Sequence, residues 1–101
     1  MTRAKRFEAT TYLKVAHPEA ISDLARELNA LARERARGQE GLAVIEVRPA
    51  PSISSVVIAL EASSEAPSGA ARIAGEFLAQ VLKSMHEGNV LEIASRELAY
   101  A

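Results

Sequence analysis

The run Val56–Leu60 places the tightest constraint on the fold, because every residue in it is apolar. Successive side chains of a strand point to opposite faces, so a strand with this sequence is apolar on both faces. The other segments with strand-like patterns alternate between apolar and polar residues and need a cover on one face only. A chain of 101 residues with two predicted helices can cover one face of a sheet. The run therefore predicts a second cover, most simply a second copy of the chain.

The spacing of the apolar residues predicts four strands and two helices. The strands are expected at Arg6–Val15, Leu42–Arg48, Ser54–Glu61 and Val90–Leu98. The helices are expected over Pro18–Arg37, ended by Gly38, and along the apolar stripe Ile73–Met85, ended by Gly88. The order β-α-β-β-α-β predicts one ferredoxin-like α+β domain over residues 1–101, with a four-stranded antiparallel sheet and two helices on one face.

The apolar run lies on the third strand, which is central in this fold, so its other face should be the helix-free face of the sheet. Thr10 and Tyr12 of the first strand and Val44 of the second are expected on that face. Charged residues on the same parities either pair across strands or across a dimer interface, or are solvated: Glu46, Arg48, Glu92 and Arg96. The predicted ligand or interface residues are Tyr12, Thr10, Val44, Glu46, Arg48, Val57 and Arg96.

Composition excludes several classes of function. The 12 basic and 13 acidic residues give a net charge of −1, and no basic face is concentrated enough to predict nucleic-acid binding. There is no cysteine, which excludes disulfides, thiol catalysis and Cys-based metal sites. The histidines, His17 and His86, are interpreted as structural residues at helix ends. We expect no catalytic residue, no metal and no cofactor.

The beginning of the chain carries no sign of a targeting sequence. Basic residues at 3–6 are followed by Phe7–Thr10 rather than by an apolar segment. No stretch approaches the ~20 apolar residues of a membrane helix. The sequence therefore predicts a cytoplasmic protein without a membrane partner.

Several segments resemble the dimeric α+β barrel proteins, especially the antibiotic-biosynthesis monooxygenases. They are the alternating strand Phe7–Val15, the helix Pro18–Arg37, Gln39–Leu42 leading into Val44–Val47, and the ending Gly88–Ile93. The resemblance implies a dimer in which two sheets pack face to face. Members that oxidise polycyclic phenols without a cofactor use Asn and Trp side chains, and this chain has no Trp. The resemblance therefore supplies no catalytic residue.

Two functions follow as hypotheses. The first is a non-catalytic homodimer that binds a protein partner or a small ligand through the helix-free sheet face. The alternative is a small cofactor-independent monooxygenase-like enzyme, in which Tyr12 or His17 assists proton transfer in an apolar pocket.

Overall fold

A computed structural model describes residues 3–85 and 91–101 and confirms the predicted ferredoxin-like order. The strands are β1 Lys5–Val15, β2 Leu42–Ala50, β3 Ser55–Ser64 and β4 Leu91–Tyr100, and the helices are α1 Ile21–Ala36 and α2 Pro67–Ser84. The predicted helix end at Gly88, together with His86 and Val90, lies outside the described residues. Neither helix of the described ranges is long and apolar enough to cross a membrane.

The four strands form one antiparallel sheet in the order β2-β3-β1-β4. β3 and β1 are therefore central, as the doubly apolar run in β3 predicts. The helices pack on one face, α1 mainly against β2 and α2 mainly against β3. β4 forms one edge of the sheet and has few contacts with α2, which leaves its helix-facing side largely uncovered.

The hydrophobic core fills the space between the sheet and the helices. Its fully buried large side chains come from β1, β3, α1 and α2: Phe7, Leu13, Leu28, Ile58, Leu60, Leu78, Val56 and Val81. Removing such a side chain from water stabilises the fold by about 1.5–3 kcal/mol. The apolar stripe of each helix thus explains both why it is helical and which face it turns to the sheet.

Turn residues fix where the helices begin and end. Pro18 opens a short 3₁₀ turn that leads into α1. Pro67 occupies the first turn of α2, where backbone N–H groups make no hydrogen bond within the helix, so the missing N–H of proline costs nothing. Gly38, which follows α1, has φ +77°, a left-handed conformation that glycine adopts without a steric penalty. The bounds of α1 agree with the predicted ones to within three residues, whereas α2 begins at Pro67, six residues before the predicted apolar stripe.

Two β-bulges change which face some side chains occupy. In β2, Val44 pairs with Leu60 and Glu46 pairs with Ala59, so Ile45 is an extra residue. In β4, Ile93 pairs with Leu13 and Ser95 pairs with Tyr12, so Ala94 is extra. Strict alternation fails across each bulge, because the inserted residue reverses the parity of those beyond it.

The predicted positions of Val44 and Arg96 on the helix-free face are therefore wrong. Val44 packs against the hydrophobic core on the helix side. Arg96 pairs with Thr11, whose side chain also faces the helices, and its guanidinium reaches α2. Both errors come from extending a regular two-residue period through a strand that contains one extra residue.

Candidate ligand-binding cleft and the helix-free sheet face

The helix-free face has a small apolar centre on the two central strands. β3 contributes Val57 and Ala59, and β1 contributes Thr10 and Tyr12 beside them. Val57 is 4% exposed and Ala59 is 5% exposed in the single chain. Their neighbours on the same face, including the half-buried Thr10 and Tyr12, therefore already cover them. Side chains of the chain itself therefore cover much of the helix-free face of the apolar run.

Charged pairs surround this apolar centre. Arg48 Nε lies 3.5 Å from Glu46 Oε1, and Arg6 Nε lies 3.7 Å from Glu61 Oε1. The Arg48–Glu46 pair is about half exposed, so its contribution to stability is at most about 1 kcal/mol. Glu8 stands directly opposite Glu61 in the β1–β3 ladder, and Arg6 offsets this like-charge neighbour. An apolar centre with a polar rim is the usual anatomy of an interface.

A cleft of about 110 Å³ lies on the other side of the sheet, between α2 and the strands β1 and β4. It exists because α2 presents small residues where it passes over β4, while its large side chains point toward β3 and the core. The cleft is lined by Ala9, Thr10, Thr11, Ala71, Ala74, Gly75, Arg96, Glu97 and Leu98. Five of the nine are alanine, glycine or leucine. Thr11 and Arg96 are polar residues of the helix-facing side, and Thr10 and Glu97 pair with each other on the parity of the helix-free face.

Arg96 supplies the positive charge of the cleft. Its Nη1 lies 3.9 Å from the position that a Cβ atom on Gly75 would occupy, so the side chain extends from β4 across to α2. Within residues 3–85 and 91–101, Arg96 makes neither a salt bridge nor a side-chain hydrogen bond. Its guanidinium donors are therefore open to solvent and to a ligand in the cleft.

Thr11 supplies a second polar group at the floor of the cleft. It is 7% exposed and is the one buried polar residue on the helix-facing side of β1, among Phe7, Ala9, Leu13 and Val15. Every fully enclosed side-chain nitrogen or oxygen in the described ranges has a hydrogen-bond partner. Thr11 makes no side-chain hydrogen bond within those ranges. Thr11 lines the cleft together with Arg96, so its hydroxyl is a second polar group at the same space.

The apolar surface of the cleft continues along β4. Ile93, Leu98 and Tyr100 face the helix side and are exposed, because α2 makes few contacts with β4. Tyr100 is 68% exposed, although its ring centroid lies 5.0 Å from that of Phe7. The cleft thus opens onto an apolar strip with Arg96 at its centre.

The predicted site residues divide into two groups. Tyr12, Thr10, Val57, Glu46 and Arg48 lie together on the helix-free face. Arg96 lies in the cleft on the opposite side of the sheet, and Val44 borders a wide surface depression of about 420 Å³ near Arg33 and Arg37 at the end of α1. No group of three or more metal-ligating side chains occurs in the described ranges.

Sequence reasoning missed Thr11 and Gly75 as site residues. Each breaks the pattern of its own element, Thr11 as a hydroxyl among apolar core residues and Gly75 as a glycine inside an amphipathic helix. A polar or missing side chain at such positions is the signal that could have indicated a cleft. Tyr12 and His17, named as proton-transfer candidates, do not line it.

Comparison with known proteins provides no family or relative for this chain: no protein-family model matches it, and no curated protein matches it in sequence.

Proposed function

We propose that this chain is a non-catalytic binding module that holds a small organic anion in the cleft between α2 and β4. One observation carries the proposal: the Arg96 guanidinium lies across Gly75 without an ion-pair partner in the described ranges, inside a cleft that is otherwise largely apolar. A guanidinium binds a carboxylate through two parallel N–H···O bonds. Thr11 supplies a hydroxyl that can donate to or accept from the same ligand.

The size of the cleft limits the ligand. A volume of about 110 Å³ corresponds to a few water molecules, since each takes about 30 Å³ in the liquid. The body of a larger ligand has to extend onto the apolar strip formed by Leu98 and its exposed neighbours on β4. A short carboxylate with an apolar tail fits this arrangement, with its charge at Arg96 and its tail along β4.

Binding of hexanoate, followed by amide chemical shifts, tests this assignment. We expect shifts at Thr11, Gly75 and Leu98, and much weaker binding of 1-hexanol, which has no charge. Arg96→Gln should weaken hexanoate binding about tenfold or more, because charge-assisted hydrogen bonds contribute about 1.5–3 kcal/mol.

Arg72→Gln is the matched control, because it also removes one arginine charge but does so outside the cleft. Arg72 pairs with Glu76 at 3.9 Å on the exposed side of α2 and does not line the cleft. Its replacement should leave hexanoate affinity unchanged. Equal weakening by Arg72→Gln and Arg96→Gln, or shifts confined to residues away from the cleft, would contradict the assignment.

A second candidate function is association through the helix-free face, either with another copy of the chain or with a protein partner. The observation that favours it is the apolar pair Val57 and Ala59 between Thr10 and Tyr12, within a rim of charged side chains. Small apolar centres with polar rims form the contact region of many protein–protein interfaces. The enzyme alternative names Tyr12 and His17, and neither of them lines the cleft between α2 and β4.

Substitution of adjacent β3 residues by lysine tests the second candidate. Ile58 is fully buried against the helices, so Ile58→Lys should unfold the chain by burying an unpaired charge. Val57→Lys should preserve the fold, because the lysine ammonium can reach solvent at the rim of the helix-free face. Sedimentation of Val57→Lys as a smaller species than the unaltered chain would support an interface there, and an unchanged species would exclude it.

A further inference from the structure

The outer edge of β4 is an accessible strand edge. Among the described residues, no strand pairs with that side of β4, so its N–H and C=O groups form an unpaired row. The opposite edge of the sheet, β2, is interrupted by the bulge at Ile45 and by Pro49. β4 contains neither proline nor lysine, and its second half, Ser95–Tyr100, runs regularly after the bulge at Ala94.

One hydrogen bond establishes which backbone groups point outward. The N–H of Ala101 donates to the carbonyl oxygen of Arg6 at 3.0 Å, so Ala101 points its backbone groups toward β1. Alternate residues of an antiparallel strand point theirs to opposite sides. Arg96, Leu98 and Tyr100 therefore present their N–H and C=O groups to the open edge.

The same three residues carry their side chains on the helix-facing side. Leu98 and Tyr100 are among the exposed large hydrophobic residues of the chain, and Arg96 and Leu98 both line the cleft. The open edge thus combines unpaired backbone groups with an apolar strip that contains one cation. Such an edge pairs readily with another strand.

We propose that a second copy of this chain pairs antiparallel with β4, with the two-fold axis at Leu98. A two-fold axis perpendicular to the sheet keeps every side chain on its own face. Residues directly opposite each other must share a face, so the axis passes midway between the two copies of one residue. An axis at Arg96 or at Glu97 would place like charges opposite each other, which is destabilising. An axis at Leu98 instead places the Leu98 side chains of the two copies in contact.

The other pairs in this register are also complementary. Arg96 stands opposite the partner's Tyr100, whose ring can pack against the alkyl stem of Arg96 while the guanidinium remains at α2. Glu97 stands opposite the partner's Ala99, so no carboxylate faces another. The outward groups of Arg96, Leu98 and Tyr100 form about six hydrogen bonds across the axis. An axis at Ala99 would separate Arg96 from Tyr100 and lose this contact. The pairing does not depend on a ligand in the cleft.

Single-cysteine crosslinking tests the register, because the chain has no native cysteine. In the proposed dimer the two copies of residue 98 lie about 5.5 Å apart between Cα atoms, within the range of about 4.4–6.8 Å that a disulfide spans. Leu98→Cys should therefore form a covalent dimer under mild oxidation. Ala99→Cys is the matched control, since its two copies are displaced along the strands by about 6.6 Å and also across them.

Lysine substitution tests the same interface without a covalent bond. Leu98→Lys places two ammonium groups opposite each other and should yield a monomer at a concentration where the unaltered chain sediments as a dimer. Ala99→Lys faces the partner's Glu97 and should remain dimeric. Retention of the fold by Leu98→Lys is checked by circular dichroism; if that variant unfolds, the crosslinking result decides.

A monomeric unaltered chain would overturn the proposal. Equal crosslinking of Leu98→Cys and Ala99→Cys would also overturn it, as would a dimer that Leu98→Lys leaves intact. Dissociation by Val57→Lys with no effect of Leu98→Lys would overturn it in favour of an interface on the helix-free face.

Discussion

At the scale of single residues, Gly75 connects helix energetics to the cleft. A glycine inside a helix costs about 0.5–1 kcal/mol relative to alanine, because it loses more backbone freedom on folding. Gly75 lies in the middle of α2, and its missing side chain leaves room for the guanidinium of Arg96. The helix thus forgoes stability at the point where the Arg96 guanidinium crosses it.

Gly75→Ala should raise the free energy of unfolding by about 0.5–1 kcal/mol. The added Cβ would lie 3.9 Å from Arg96 Nη1, an ordinary contact distance, so no clash offsets the gain in helix propensity. Urea denaturation of the unaltered and substituted chains measures the difference.

Gly69→Ala in the same helix is the control for this prediction. A Cβ atom there would overlap Ser64 Oγ, so the serine side chain must move before the alanine fits. We expect no comparable stabilisation. A Gly75→Ala variant that is less stable than the unaltered chain would show that the space beside Arg96 is tighter than the geometry indicates.

At the scale of elements, the sequence was sufficient for the fold and insufficient for the site. The periods of β1, α1, β3 and α2 predict their order and their core faces, because each buries one regular stripe. Apolar alternation cannot reveal a bulge, since an extra residue such as Ile45 or Ala94 is itself apolar and ordinary. A regular period therefore predicts the wrong face for Arg96 and does not predict the cleft that its guanidinium enters.

Deleting Ala94 should leave the chain folded. Ile93 and Ser95 would become consecutive and keep their partners Leu13 and Tyr12, so Arg96 would still face α2. We expect a change in the free energy of unfolding within about 1–2 kcal/mol.

Deleting Ala59 from β3 provides the comparison. β3 pairs with β1 without a bulge. The deletion would therefore turn all side chains on one side of position 59 to the opposite face of the sheet. Circular dichroism should show an unfolded chain. Equal loss of structure in both deletions would contradict the assignment of Ala94 as the extra residue.

At the scale of the whole molecule, the two candidate surfaces are geometrically independent. The helix-free face is rimmed by charges, while the β4 edge lies at the side of the sheet and carries the exposed apolar strip. Pairing at the edge would join two sheets into one of eight strands with all helices on one side. It would also place the helix-free faces side by side, doubling the area available to a further partner.

The charge of the molecule is compatible with either form of association. A net charge of −1 opposes self-association only weakly, and the charges on the sheet are divided between both signs. Contacts at particular positions therefore decide whether copies of the chain associate. Leu98 and Val57 are the positions at which the two modes can be separated.

The bulges also determine where this chain can lose one residue during evolution and keep its fold. In most of a strand, loss of one codon exchanges the inner and outer side chains and is eliminated by selection. At Ile45 and at Ala94 the same loss restores a regular ladder and preserves both faces. Lineages of this gene can therefore differ by one residue at these positions while retaining the same core and the same orientation of Arg96.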